Sequence, residues 1–155
     1  MITMTQTRPT ELQSHSVWLA TGPAAVPEAR SQIRAAIRCW DVCVDEEAAV
    51  LLTSELVTNA IRHEAGEGIM VVVTGSCGQL RVDVHDTSCS FPTVAEVPAD
   101  AETGRGLLLV AALSAEWGFY RTPTGKAVYF TLDCQARPSP NGARTRPAGM
   151  HNRGR

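Results

Sequence analysis

The chain has 155 residues, 44% of them apolar and 19% charged, enough for one ordinary domain with its own core. The start, MITMTQTRPT, is polar and lacks the apolar stretch of a secretory signal, and no apolar run approaches membrane-spanning length, so a soluble cytoplasmic protein is expected. Five cysteines, an odd number without a C-x-x-C pair, argue against a zinc site and point to reduced, mostly buried thiols rather than a disulfide framework.

In chain order, residues 1–14 read as a flexible N-terminus and 15–134 as one domain. A short strand is expected at SVWLA, residues 16–20, ended by TGPAA. VPEARSQIRAAIRCW reads as a helix: Pro27 suits the first helical position, and Ala29, Ile33, Ala36, Ile37 and Trp40 form one apolar stripe. A second helix starts at Asp45, a good N-cap residue. Glu46 and Glu47 follow in the first turn, where the helix dipole favours negative charge, and the helix ends near Glu64. IMVVVT and LRVDVHD are strands joined through the turn-rich GSCGQ. In the second, Leu80, Val82 and Val84 alternate with Arg81, Asp83 and His85. TSCSFPTVAEVPADAETG has no periodicity, and a loop of that length in a small domain is usually functional or disordered. An apolar helix follows over about 105–116, then FYRT and AVYFTL as a hairpin turned at PTGK. Residues 135–155 carry five arginines, three prolines, no acids and almost nothing to bury, too little to offset ordering entropy, so a disordered basic tail is expected. A solvated tail fits this segment better than a nucleic-acid arm. Helices beside antiparallel strands make an α+β two-layer sandwich, with a mixed, mainly antiparallel sheet and the helices on one face. The dinucleotide fold would need parallel strands alternating with helices.

Three places carry candidate chemistry. In LLTSELVTNAIRHE the apolar helical pattern is interrupted by Glu55, Asn59, Arg62 and His63, which at about 100° per residue share a sector of roughly 100°. Asn59 offers a neutral oxygen that suits Mg²⁺ when phosphates and waters supply the other ligands. Glu55 can orient or deprotonate a nucleophile, and Arg62 and His63 can reach phosphate oxygens. A solvated helix face has the same spacing. Asp86, at a strand end, can accept from an exocyclic amine such as adenine N6, or merely cap the turn with Thr87 and Ser88. In TGRGLLL, Gly104 and Gly106 allow close backbone approach, the helix that begins here offers N–H groups to phosphate, and Arg105 adds charge; a glycine that ends the loop reads the same way.

Taken together and in this order, SELVTNAIRH, VDVHD, TGRGLLLV and GKAVYF resemble the ATP-binding domains of histidine kinases, gyrase B and MutL, and most of all the small bacterial anti-sigma-factor serine kinases and their stand-alone actinobacterial relatives. The resemblance covers about residues 18–132 and implies a Bergerat-type ATP-binding fold with ATP and Mg²⁺ as cofactors. It implies that Glu55 acts in phosphoryl transfer, that Asn59 binds Mg²⁺ and that Asp86 reads the adenine amine. It further implies that Arg62, His63, Gly104, Arg105, Gly106 and Leu107 border the nucleotide, with residues 88–103 as a lid. Two departures stand out: DTSCSFP lacks the glycines that many relatives carry after the aspartate, and Ala127 stands where a threonine often follows GK.

The implied function is an Mg-ATP-dependent regulator that sequesters a sigma factor and phosphorylates an anti-anti-sigma-type protein on serine or threonine. No direct nucleic-acid or membrane binding is expected, and a homodimer is compatible. An ATP-gated binding module without catalysis, and an interaction domain that has lost ATP, are the alternatives.

Overall fold

A computed structural model of the chain describes residues 11–63, 66, 68–76, 78–88 and 102–135. The elements run β1 (Gln13–Ala20), α1 (Ala25–Cys39), α2 (Glu46–His63), β2 (Gly68–Ser76), β3 (Gln79–Asp86), α3 (Glu102–Leu113), β4 (Glu116–Thr122) and β5 (Gly125–Asp133). The five strands form one sheet in the order β1-β2-β3-β5-β4, each pair antiparallel, and the three helices lie on one face, making the two-layer sandwich.

Strand alternation assigns the two faces. Leu19, Ile69, Val71, Val73, Leu80, Val82, Val84, Val128 and Phe130 point toward the helices and are buried. They meet Ala29, Ile33 and Ile37 of α1, Leu52, Leu56 and Val57 of α2, and Leu107 and Val110 of α3. The helices start where the sequence says they should, with one shift. Asp45 caps α2, its Oδ1 accepting from the Ala48 N–H at 3.1 Å. α1 begins at Ala25, so Pro27 is its third residue, still among the first-turn positions whose N–H has no helical partner. Arg34 and Arg38 pair with Glu46, tying α1 to the start of α2.

Several boundaries differ from the sequence expectation. β1 starts at Gln13 instead of 16, because Gln13, Ser14 and His15 pair through their backbones with Gly75, Thr74 and Val73, which needs no apolar pattern. α3 spans Glu102–Leu113, and Glu116 belongs to β4, opposite Thr131. Of the cysteines expected to be mostly buried, Cys39 is exposed and Cys43 and Cys134 are half-buried. Cys77, Cys89, residues 1–10 and the basic tail from 136 lie outside the described residues, as does Glu64. Among the described residues no helix is long and apolar enough to cross a membrane.

The opposite face of the sheet carries its own polar cluster. Asp83 is buried, accepting two hydrogen bonds from Arg81, at 2.9 and 2.8 Å, and one from the Tyr120 hydroxyl at 2.9 Å. The Arg81 guanidinium lies 3.9 Å from the centre of the Tyr129 ring. Its hydrogen bonds to Asp83, outweighing the burial that opposes charge, raise its pKa further. Burial first, and the bond to Asp83 second, raise the Tyr120 phenol above its ordinary value of 10.0. The unfolded chain therefore releases this proton before the folded one. The stabilisation is complete below about pH 10 and is lost as pH rises through the folded-state value. Urea unfolding followed by circular dichroism from pH 8 to 11 is expected to show stability falling above pH 10, with a shallower fall in Tyr120→Phe. Equal slopes in both proteins would remove Tyr120 as the cause.

Candidate functional site

α2 is flanked by α1 on one side and α3 on the other, over the sheet, so most of its circumference is buried. The stripe that these neighbours leave least covered is Leu51, Glu55, Asn59, Arg62 and His63. It is not uniform. Glu55 and Asn59 are half-buried, whereas Arg62 and His63 are exposed in the last turn. The sector read from the sequence thus divides into an inner pair and an outer, solvated pair.

α3 meets Glu55, the first of the inner pair, at Gly106. A Cβ built there would stand 2.6 Å from Glu55 Oε2, so the absence of a side chain lets this helix lie against the carboxylate. Gly106 lies at the fifth position of α3, because the helix starts at Glu102, three residues before the expected 105. Thr103, Gly104 and Arg105 fall in the first turn, whose N–H groups lack helical partners, and Thr103 is therefore helical, not part of a loop. Leu107, read as bordering the nucleotide, is buried in the hydrophobic core. The lid expected over 88–103 falls, between 89 and 101, outside the described residues.

Asn59 shows what this arrangement can hold. Its Oδ1 is buried, yet has no hydrogen-bond partner among the described residues. A buried carbonyl oxygen without a donor is costly, and a hard cation is one group that would satisfy it. Among the described residues no cluster of three or more His, Cys, Asp or Glu side chains could hold a metal. A single amide oxygen suits an ion that takes few protein ligands and completes its shell with phosphates and water, as Mg²⁺ does.

Asp86 ends β3 on the helix-facing side, as its even number among Leu80, Val82 and Val84 requires. It is buried. Oδ1 accepts from the Ser88 N–H at 2.8 Å, which realises the turn cap, and Oδ2 lies 3.7 Å from the Lys126 ammonium, itself buried. Lys126 was not among the residues singled out from the sequence. The signal was present: in GKAVYFTL, Lys126 shares the parity of Val128 and Phe130 and so must face the helices. Ala127 has the opposite parity, pairs with His85 and Tyr120, and lies on the far face of the sheet. Its side chain therefore lies away from the Asp86 carboxylate. β5 also closes on Asp86 through Gly125, where a Cβ would press on the Asp86 carbonyl oxygen and stand 2.6 Å from Thr87 Cα.

A family model for the histidine kinase-like ATPase domain matches residues 19–132. No curated protein sequence matches the chain.

Proposed function

The chain belongs to the histidine kinase-like ATPase domain family, and on that premise we propose that it is an Mg-ATP-dependent regulatory protein that phosphorylates a partner protein on serine or threonine. The observation that carries this is the buried Asn59 Oδ1, without a hydrogen-bond partner among the described residues, one helical turn from a half-buried Glu55 and on the same stripe. Asn59 Oδ1 is the residue atom that would hold Mg²⁺, which would supply charge neutralisation at the phosphates. Glu55 accepts the proton of the attacking hydroxyl. The first-turn N–H groups of α3 bind phosphate oxygens, aided by the positive end of the helix dipole. Asp86 accepts from the adenine amine. The resemblance of SELVTNAIRH and TGRGLLLV to anti-sigma-factor serine kinases supports an anti-anti-sigma-type protein as phosphoacceptor and a sigma factor as the sequestered partner. An ATP-gated binding module without phosphotransfer is the second reading, favoured by exposed Leu108 and Leu113 on α3, the helix that abuts Glu55.

Calorimetric titration with ATP and Mg²⁺ tests the first step, with Asn59→Ala and Asn59→Leu alongside. The parent protein is expected to bind saturably and both variants to lose the Mg²⁺-dependent part of the affinity. Because Asn59→Leu removes an unsatisfied buried oxygen, it is expected to raise stability without ligand by about 1 kcal/mol, or roughly 2–4 °C in melting temperature. A variant that is both less stable and unchanged in ATP binding would assign Asn59 to packing and not to the metal. Transfer of labelled phosphate to a protein acceptor then separates kinase from gated module.

A further inference from the structure

We propose that Lys126 is a base-reading residue: its ammonium donates to N1 of a bound adenine while Asp86 accepts from the neighbouring 6-amino group. This rests on the reading of the pocket as an ATP site, and it adds to that site a residue that decides which base is accepted.

The placement is fixed by the backbone. Lys126 is the direct register partner of Asp86, and both point to the helix-facing side at the end of the sheet. Gly125, the preceding residue, is held against the backbone of Asp86 and Thr87 so tightly that a single added carbon has no room. The ammonium and the carboxylate are therefore set side by side by strand pairing, 3.7 Å apart, with little freedom for the Lys126 Cα to move.

A purely structural role accounts poorly for a lysine here. The other helix-facing residues of β5, Val128, Phe130 and Leu132, are apolar and buried. Taking an ammonium and a carboxylate out of water together is costly, and apolar residues of similar volume would close a sheet end at least as well. A ligand with a donor and an acceptor on adjacent atoms gives the pair a use. The edge of adenine has that pattern: the 6-amino group donates and N1 accepts. A 6-oxo purine reverses both, setting an oxygen against Asp86 and an N–H against the ammonium. Lys126 and Asp86 would thus reject it together, more firmly than the aspartate alone.

The test compares ATP with 1-deaza-ATP, in which N1 is replaced by C–H, on the full chain and on Lys126→Met. The parent is expected to bind ATP about 10- to 100-fold more tightly than 1-deaza-ATP, the range for one hydrogen bond from a charged donor. In Lys126→Met that ratio is expected to fall to about one. The ratio is the readout, because a merely structural lysine would lower both affinities and leave their quotient unchanged. Should Lys126→Met fail to fold, Lys126→Leu serves for the same quotient, since it too removes the donor and keeps Asp86. Equal affinity of the parent for the two nucleotides, or a preference that survives the loss of the lysine, would overturn the assignment. Failure of the parent to bind either nucleotide at millimolar concentration would instead overturn the ATP-site reading, and the role of Lys126 with it.

Discussion

Glu55→Ala is expected to lower phosphoryl transfer by about 10²–10⁴ while Mg-ATP still binds, the effect of losing a general base and not a binding group. The carboxylate is half-buried on α2 and faces α3, where Gly106 leaves it room. A second substitution separates chemistry from folding at the same spot. In Gly106→Ala the new methyl would stand 2.6 Å from Oε2, while the next atoms of Glu55 lie at 3.6 and 3.8 Å. Only the flexible end of the side chain has to yield, so the strain is small, and alanine favours a helix over glycine by up to about 1 kcal/mol. Gly106→Ala is therefore expected to be as stable as the parent or more so, yet slower by about 10- to 100-fold, because a carboxylate displaced by about 1 Å no longer meets the hydroxyl it must deprotonate. Single-turnover phosphorylation beside thermal melts measures both. Full activity in Glu55→Ala would remove this residue from the mechanism, and full activity in Gly106→Ala would show that the carboxylate works from another position.

Gly125→Ala should damage both fold and site. What a methyl meets here is backbone: the Asp86 carbonyl, Thr87 Cα at 2.6 Å and the Asp86 carbonyl carbon at 2.9 Å. None of these can turn aside as a side chain can, so β3 and β5 would have to part where Asp86 and Lys126 are paired. Overpacking of this kind costs about 3 kcal/mol, a fall in melting temperature of roughly 6–12 °C for a chain of this size. Nucleotide affinity should fall with it, because the parting moves Asp86. Gly78→Ala at the β2–β3 turn is the control: nothing lies within 4 Å of the added carbon, and a change within about 0.5 kcal/mol is expected. If Gly125→Ala melts with Gly78→Ala and binds ATP as the parent does, the close approach of β5 to Asp86 is not what shapes the site.

The elements were legible wherever a local pattern repeats. Period-two alternation in LRVDVHD gave the two faces of β3, and the capping aspartate with two glutamates gave the start of α2. Boundaries were misread where pairing needs only backbone, as at Gln13, or where polar and glycine residues continue a helix, as at Glu102 to Arg105. Glu55, Asn59 and Asp86 stand out as candidates because each breaks an apolar period with a group that burial makes costly.

Local sequence by itself determined which residues could face inward: the stripe on α2, the parity of β3 and β5, and hence that an aspartate and a lysine both turn toward the helices. Only the tertiary structure decided which of these groups meet. That Gly106 abuts Glu55, that Asn59 Oδ1 has no donor among the described residues, and that Lys126 and not Ala127 stands beside Asp86 depend on α3 crossing α2 and on the register of β3 with β5. Periodicity fixes the direction of a side chain relative to its own element. The distance between elements is set by packing among residues far apart in the chain, and no local pattern contains it.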